Sequence, residues 1–293
     1  MSENINERMK KYCDHFNSVL DEFFEKYPSK VELIQEAVKY SIVDGGKRIR
    51  PILVYMGAEF CGKDISWVDD IALGVEMIHS YSLVHDDLPC MDNDELRRGK
   101  ATTHKKFGEA MGVLAGDGLL NLAFETMLEY ADNTNDIKAM RYIAKCSGIG
   151  GMIGGQVLDI FNNTKRIGLD DIWLVNSLKT SCMLKASLVG SCIKCGADDQ
   201  VVYDMEKYAE NIGIIFQLVD DILDVHSSTE IMGKTVGKDV EQNKNTYLSV
   251  VGEEKTLEII QELYAQSIDC VKKYGDKAQG FVEFAKYLTG RLS

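Results

Sequence analysis

The chain has 293 residues, 45% hydrophobic and 27% charged, a balance that excludes wholesale disorder and supports a sizeable core. Lysine and arginine number 33 against 46 aspartates and glutamates, a net charge of −13. That excludes a broad basic face of the kind that grips nucleic acid or an anionic bilayer through counterion release.

The N-terminal stretch MSENINERMKKYCDHF has no apolar signal core. No run reaches the roughly 20 apolar residues of a membrane span. The eight cysteines are too sparse for a disulfide scaffold, so reduced thiols in a soluble cytoplasmic protein are expected. Val31–Val43 carries apolar residues at 31, 34, 38 and 42, the spacing of a helix, and the glycines of GGKRIRP then stop it. Ile71–Val84 is apolar on nearly every side, which predicts a buried helix. Leu114–Leu128, Ile172–Val189, Val201–Val225 and Leu257–Val271 read as helices for similar reasons. Gly148–Gly155 is the weakest helix, and close approach of another helix is the expected reason for its glycines. Cys192 and Cys195 have CxxC spacing without a second pair, so helix packing is expected of them. Strand alternation is absent over any useful length. The three prolines, Pro28, Pro51 and Pro89, all fall in the first third, as long helices require. One all-α domain over residues 1–293 is predicted.

Two aspartate clusters lie 134 residues apart: Asp86-Asp87-Leu-Pro-Cys-Met-Asp92 and Asp220-Asp221-Ile-Leu-Asp224. In the second, Gly213, Gln217, Asp220 and Asp224 step by 4, 3 and 4 along one helical face, with Asp221 beside them. Carboxylates on a helix otherwise fit for a core must be paired, neutralised or metal-bound. Mg²⁺ is the natural partner, since it binds through one or two carboxylates together with substrate phosphates. The first cluster does not continue as an EF-hand, because Leu96 and Arg97 fall where a ligand and the glycine belong. Gly233-Lys234-Thr235 lacks the opening glycine of a P-loop, and no HExxH or GxSxG occurs.

Basic stretches accompany the acids: Lys47, Arg48 and Arg50, then Arg97-Arg98-Gly99-Lys100, then Lys234 and Lys244. Arginine forks suit phosphate oxygens, and lysine adds a compact positive charge. Acid for cations and base for anions together describe a pocket for a metal-bound polyanion.

The succession GGKRIRP, HSYSLVHDDLPCMDNDELRRGKATTHKKFGE, AGDGLLNLAFE, GGQVLDI, KTSCMLKAS, FQLVDDILD, and GKTVGKD with NKNTY resembles the bacterial trans-polyprenyl diphosphate synthases. The resemblance is closest to farnesyl diphosphate synthases and covers nearly the whole chain. It implies an isoprenoid-synthase-type helical bundle around a central apolar cavity, and a homodimer. It implies head-to-tail condensation of isopentenyl diphosphate with dimethylallyl and geranyl diphosphates, through Mg²⁺-assisted ionisation to an allylic cation. Three Mg²⁺ are implied, with Asp86, Asp92 and Asp220 as ligands and Asp87, Asp221 and Asp224 in support. Arg97 resembles the arginine on the allylic diphosphate. Lys47, Arg50, His79 and Arg98 resemble the isopentenyl diphosphate site. Lys179, Thr180, Gln217, Lys234 and Lys244 resemble the groups around the allylic diphosphate and the developing cation. The released diphosphate takes the proton, which leaves His85 as a packing or hydrogen-bonding residue.

In this family, bulk five residues before the first aspartate floors the tail cavity. Tyr81 stands there, about 7.5 Å down the helix from Asp86, with Ser82 one turn below Asp86. That implies a C15 product. Ala101, Leu178 and Ser181 depart from the common Pro, His and Gly. A geranylgeranyl diphosphate synthase shares every motif. A terpene cyclase would not need Lys47, Arg50 and Arg98, and a non-catalytic subunit typically loses aspartates that persist here.

Overall fold

The computed structural model describes residues 4–27, 29–43, 45–162, 168–226 and 246–292. Its first α-helices are α1 (Ile5–Lys26), α2 (Glu32–Val43), α3 (Ile49–Phe60) and α4 (Asp69–Asp86). After a short hairpin come α5 (Thr103–Phe107), α6 (Glu109–Glu129), α7 (Thr134–Ser147) and α8 (Met152–Asn162). A π-helical turn (Asn176–Ser181) joins α9 (Leu169–Val175) to α10 (Cys182–Lys194). The long α11 (Asp199–His226), α12 (Tyr247–Val251), α13 (Glu253–Val271) and α14 (Gln279–Thr289) complete the chain.

Three helices form the interior. The predicted all-round apolar character of α4 is realised: Ile71, Ala72, Leu73, Val75, Met77, Ile78, Tyr81 and Val84 are buried. It packs against α1, α2, α3, α6 and α10. α10 lies against α3, α4, α7 and α11, and α11 against α10, the π-turn, α13 and α14. The outer helices bury one stripe each. In α1, Asn4 and Glu7 cap the start reciprocally, and Met9, Tyr12, Phe16, Leu20 and Phe24 recur at the helical period on its inner face. No described helix is long and apolar enough to cross a membrane.

One expectation is corrected and one local feature is added. Ile172–Val189 is a helical rod broken by the π-turn, which apolar spacing could not disclose. The RRGK segment is a minimal antiparallel ribbon, β1 (Leu96–Arg97) against β2 (Lys100–Ala101). Its two turn residues, Arg98 and Gly99, both take positive φ (53° and 76°), the geometry of a two-residue hairpin that matches strand twist. Cys192 is buried and contacts the Cys61 thiol, as does Cys195, so this CxxC packs α10 against α3 as expected.

Candidate active site

The first acidic motif begins as α4 runs out. Asp86 is the last helical residue, at the end where unpaired carbonyls give the helix its negative pole. The chain then doubles back: the Asp92 N–H donates to the Asp86 carbonyl at 2.9 Å, and Asn93, at φ 52°, donates to Leu88 O. The fold thus returns Asp92 beside Asp86. Burial pushes the Asp86 carboxyl up to about 6; Lys179 and Arg97 oppose the rise, and Asp92 and Asp87 add to it. A cation at this point would relieve all three acids.

Asp87 has a different surrounding. Its carboxylate is buried and accepts Arg97 Nε at 2.7 Å and Nη2 at 2.6 Å. Asp94 holds the same guanidinium from 3.6 Å. The sequence suggests a supporting part for Asp87 at a metal; the structure pairs it with Arg97 and so fixes that guanidinium.

The second motif rides on α11. Gln217 Nε2 donates to Asp221 Oδ1 at 2.9 Å, and Gln217 Oε1 accepts Thr180 Oγ1 at 3.1 Å. Asp221 is buried, Asp224 half-buried, and the Asp220 side chain is 38% exposed. Lys179 extends from the π-turn to Asp159 of α8, with Nζ 2.6 Å from Oδ2, and acts electrostatically on Asp86. The π-turn therefore stands between the two motifs, touching α11 through Thr180 and the first motif's field through Lys179. Asp220 is paired with Arg291 at 2.7 Å, and that guanidinium lies over the Phe216 ring.

The basic stretches converge beyond Asp87. Arg98 lies over the Gly45-Gly46 backbone and donates to Gly45 O. Burial lowers Arg50 to about 10; Glu76 opposes the fall and Arg98 deepens it. Arg50 Nε is buried with no hydrogen-bond partner. Burial, then the fields of Arg50, Arg98, Arg97 and Arg48, hold His79 well below its ordinary value, so it stays neutral. Lys47 is exposed on the adjoining loop. Glu76, which acts on both Arg50 and Arg98, is already bound by Arg48, with Nη1 2.9 Å from Oε1 and both side chains 3% exposed. Surplus positive charge with an unpartnered guanidinium donor is the chemistry of an anion site.

The pairings of Arg48 with Glu76, Lys179 with Asp159 and Asp220 with Arg291 were missed in the sequence. A lone glutamate inside an apolar helix was the one available signal for the Arg48–Glu76 pair. Arg48 sits at φ 49° and also donates to the carbonyls of Ile42 and Val43, so it clamps the basic loop between α2 and α3. Arg48→Met is expected to leave Glu76 buried and unpaired, at a cost of about 3–5 kcal/mol in urea unfolding. Lys234 and Lys244 lie outside the described residues. His85, half-buried, places Nε2 3.1 Å from Val113 O, the hydrogen-bonding role expected of it. Tyr81 is buried, and its hydroxyl has no partner; Ser82 donates to His79 O at 2.9 Å.

Among the described residues no group of three acidic, histidine or cysteine side chains forms a ready cage for an ion. The donor set nonetheless fits Mg²⁺. It offers hard carboxylate oxygens, one of them on a buried acid that burial pushes up to about 6 despite the fields of Lys179 and Arg97, and Mg²⁺ is usually held by one or two such carboxylates together with phosphate oxygens.

Fold and site together describe an all-α protein in which two aspartate motifs lie near a cluster of arginines. The family model described as polyprenyl synthetase matches residues 31–279. The chain is 43% identical over 266 residues to geranylgeranyl pyrophosphate synthase 11, chloroplastic, of Arabidopsis thaliana, covering 88% of this chain and 74% of that one. It is 36% identical over 269 residues to farnesyl diphosphate synthase of Micrococcus luteus, covering 92% of each. Among solved structures, a geranyltransferase from Legionella pneumophila superposes with a TM-score of 0.87 at 31% identity, covering 98% of this chain and 96% of that one. A geranyltransferase from Helicobacter pylori, complexed with magnesium and isoprenyl diphosphate, gives 0.84 at 27% identity, covering 100% and 98%. The chain belongs to the polyprenyl synthetase family, which is Mg²⁺-dependent.

Proposed function

We propose that this chain condenses isopentenyl diphosphate head-to-tail with dimethylallyl and then geranyl diphosphate, giving farnesyl diphosphate. The observation that carries the reading is the separation of two kinds of site. Acidic motifs with Lys179 form one, and the arginine group around His79, short of negative charge, forms the other. Two anionic substrates need both.

In the first site Asp86, Asp92, Asp220 and Asp224 hold Mg²⁺, three ions in all, which supply Lewis-acid neutralisation of the leaving diphosphate. Lys179 leaves Asp159 for the diphosphate, and Arg97, aimed by Asp87, donates to it. Thr180 and Gln217 turn their oxygen atoms toward the allylic carbon as positive charge develops. In the second site Lys47, Arg50, Arg98 and neutral His79 hold isopentenyl diphosphate. The allylic C–O bond breaks, the isopentenyl double bond forms the new C–C bond, and the released diphosphate takes the proton. Lys234 and Lys244 are proposed to add cations to the allylic side.

Tyr81 supports the C15 product, since it is a buried, bulky residue five positions before Asp86, where the family resemblance implies the floor of the tail cavity. The identity to the Arabidopsis geranylgeranyl pyrophosphate synthase favours a C20 product as the second reading. Incubation with isopentenyl and dimethylallyl diphosphates, followed by dephosphorylation and chromatography, tests both. Farnesol is expected; geranylgeraniol would favour the second reading, and no prenyl alcohol would overturn the function.

A homodimer through α6 is part of the proposal. Val113, Leu114 and Leu128 lie 43%, 54% and 59% exposed along it, apolar side chains that a second copy would cover. Leu114→Glu combined with Leu128→Glu is expected to convert a dimer to a monomer in light scattering. All eight cysteines are free thiols, which supports a cytoplasmic location.

A further inference from the structure

We propose that Ser181, with Gly213 facing it, is the positioning residue that holds the π-turn in the register presenting Lys179 and Thr180. The proposal rests on the prenyl-transfer reading and adds a residue to it.

A π-turn is a rare insertion in a helix, and such turns gather at functional sites. No proline lies between Cys90 and Ser293 to force this one. Its defining bond runs from the Cys182 N–H five residues back to Ser177 O. Ser181 closes the turn and meets one carbonyl of the turn and one of the neighbouring helix. Its side chain is fully buried, and Oγ lies 3.4 Å from Asn176 O and 3.2 Å from Glu210 O, its single proton available to either. The first carbonyl belongs to the turn and the second to α11, so one hydroxyl ties the turn to the helix that carries the second aspartate motif.

Glu210 fastens the turn's other end: Ser177 Oγ donates to its carboxylate at 3.2 Å, and Lys185 Nζ lies 3.9 Å away. Two glycines allow neighbouring backbones to close on the turn. A Cβ at Gly213 would lie 2.3 Å from Ser181 Oγ, and a Cβ at Gly155 would lie 2.3 Å from Lys179 N. The turn is thus gripped by α8 and α11 at backbone contact and pinned by one buried hydroxyl. Lys179 and Thr180 immediately precede that pin. If the turn relaxed to an α-helix, the side chains on one flank would rotate by about 100° relative to the other. Lys179 and Thr180 could then no longer both meet Asp159 and Gln217.

The test uses Ser181→Gly and Gly213→Ala, with steady-state kinetics in each diphosphate. Ser181→Gly removes the hydroxyl without adding bulk. It is expected to lower kcat about fivefold and raise the KM for dimethylallyl diphosphate about fivefold, with the isopentenyl KM changed by less than about twofold. Gly213→Ala is expected to lose at least about thirtyfold in kcat/KM for dimethylallyl diphosphate, because its Cβ would lie 2.3 Å from Ser181 Oγ and 2.5 Å from Ser181 Cα and so push the turn off α11. Ser181→Gly within about twofold of wild type, Gly213→Ala within about threefold, or an isopentenyl KM that moves with the allylic one would each overturn the proposal. Should Gly213→Ala fail to fold, Ser181→Gly and Ser181→Ala carry the test by the same split. Calorimetric binding of inorganic pyrophosphate with Mg²⁺ separates the two layers. A wild type that binds pyrophosphate but forms no prenyl product, with weaker binding in Ser181→Gly, overturns prenyl transfer and keeps the positioning role. An active wild type matched by Ser181→Gly overturns the positioning role alone.

Discussion

Alanine at Asp86, and separately at Asp220, is expected to lower prenyl-transfer turnover at least about a thousandfold, equivalent to about 4 kcal/mol of transition-state stabilisation. The two positions test different halves of one arrangement. Asp86 is buried at the negative end of α4 and pushed up to about 6 by burial, with Lys179 and Arg97 opposing the rise only in part, so a bound cation would be favoured there. Asp220 is the open carboxylate of the second motif and is paired with Arg291. A divalent ion there must displace the guanidinium. Removing either aspartate leaves the leaving diphosphate with less positive charge at the moment the C–O bond breaks. Because the interaction grows as charge develops, the loss should fall on kcat more than on KM. Single-turnover product formation in saturating Mg²⁺ measures it. Circular dichroism and melting of each variant confirm that the helices survive. Turnover within tenfold of wild type for both variants would refute the metal assignment.

Tyr81→Ala is expected to change the main product from C15 to C20. The ring lies five residues before Asp86, about 7.5 Å along a straight helix. It is 6% exposed, edge-on to His85 at 5.8 Å, with a hydroxyl that finds no partner. A buried, unpartnered hydroxyl costs roughly 1–3 kcal/mol, so hydrogen bonding does not account for tyrosine here. Bulk accounts for it. Tyr81→Phe should therefore keep the C15 product and melt no lower than wild type, while Tyr81→Ala lets the tail extend. Chromatography of the dephosphorylated products shows the change directly. An unaltered product length in Tyr81→Ala, together with the several kcal/mol of destabilisation that an emptied core site brings, would make Tyr81 an ordinary core residue.

Much of the chemistry was legible along the chain because it is local. Asp86 and Asp92, Arg97 and Arg98, and the face of Gln217, Asp220 and Asp224 are each set by neighbours within two helical turns. The helices were legible because an apolar stripe at the helical period depends only on its own segment, and α4 and α11 extend only a residue or two past the predicted ends. The π-turn was not. Asn176–Ser181 has the same apolar rhythm as an α-helix, and its extra residue is held by Glu210 and Gly213 of α11 and backed by Gly155 of α8.

By itself the amino-acid order determined that the protein is helical and that it concentrates carboxylates at two places with basic groups close behind. Those properties reside in residue type and short spacing. Only the tertiary structure decided how the charges are shared out: Asp87 to Arg97, Glu76 to Arg48, Asp159 to Lys179 and Arg291 to Asp220. Such pairings join residues up to 71 positions apart, and partner choice at that range follows from which helix ends the packed core brings together. The same packing left Arg50 and His79 among like charges, and that shortage of negative charge is what fits the site to a second diphosphate.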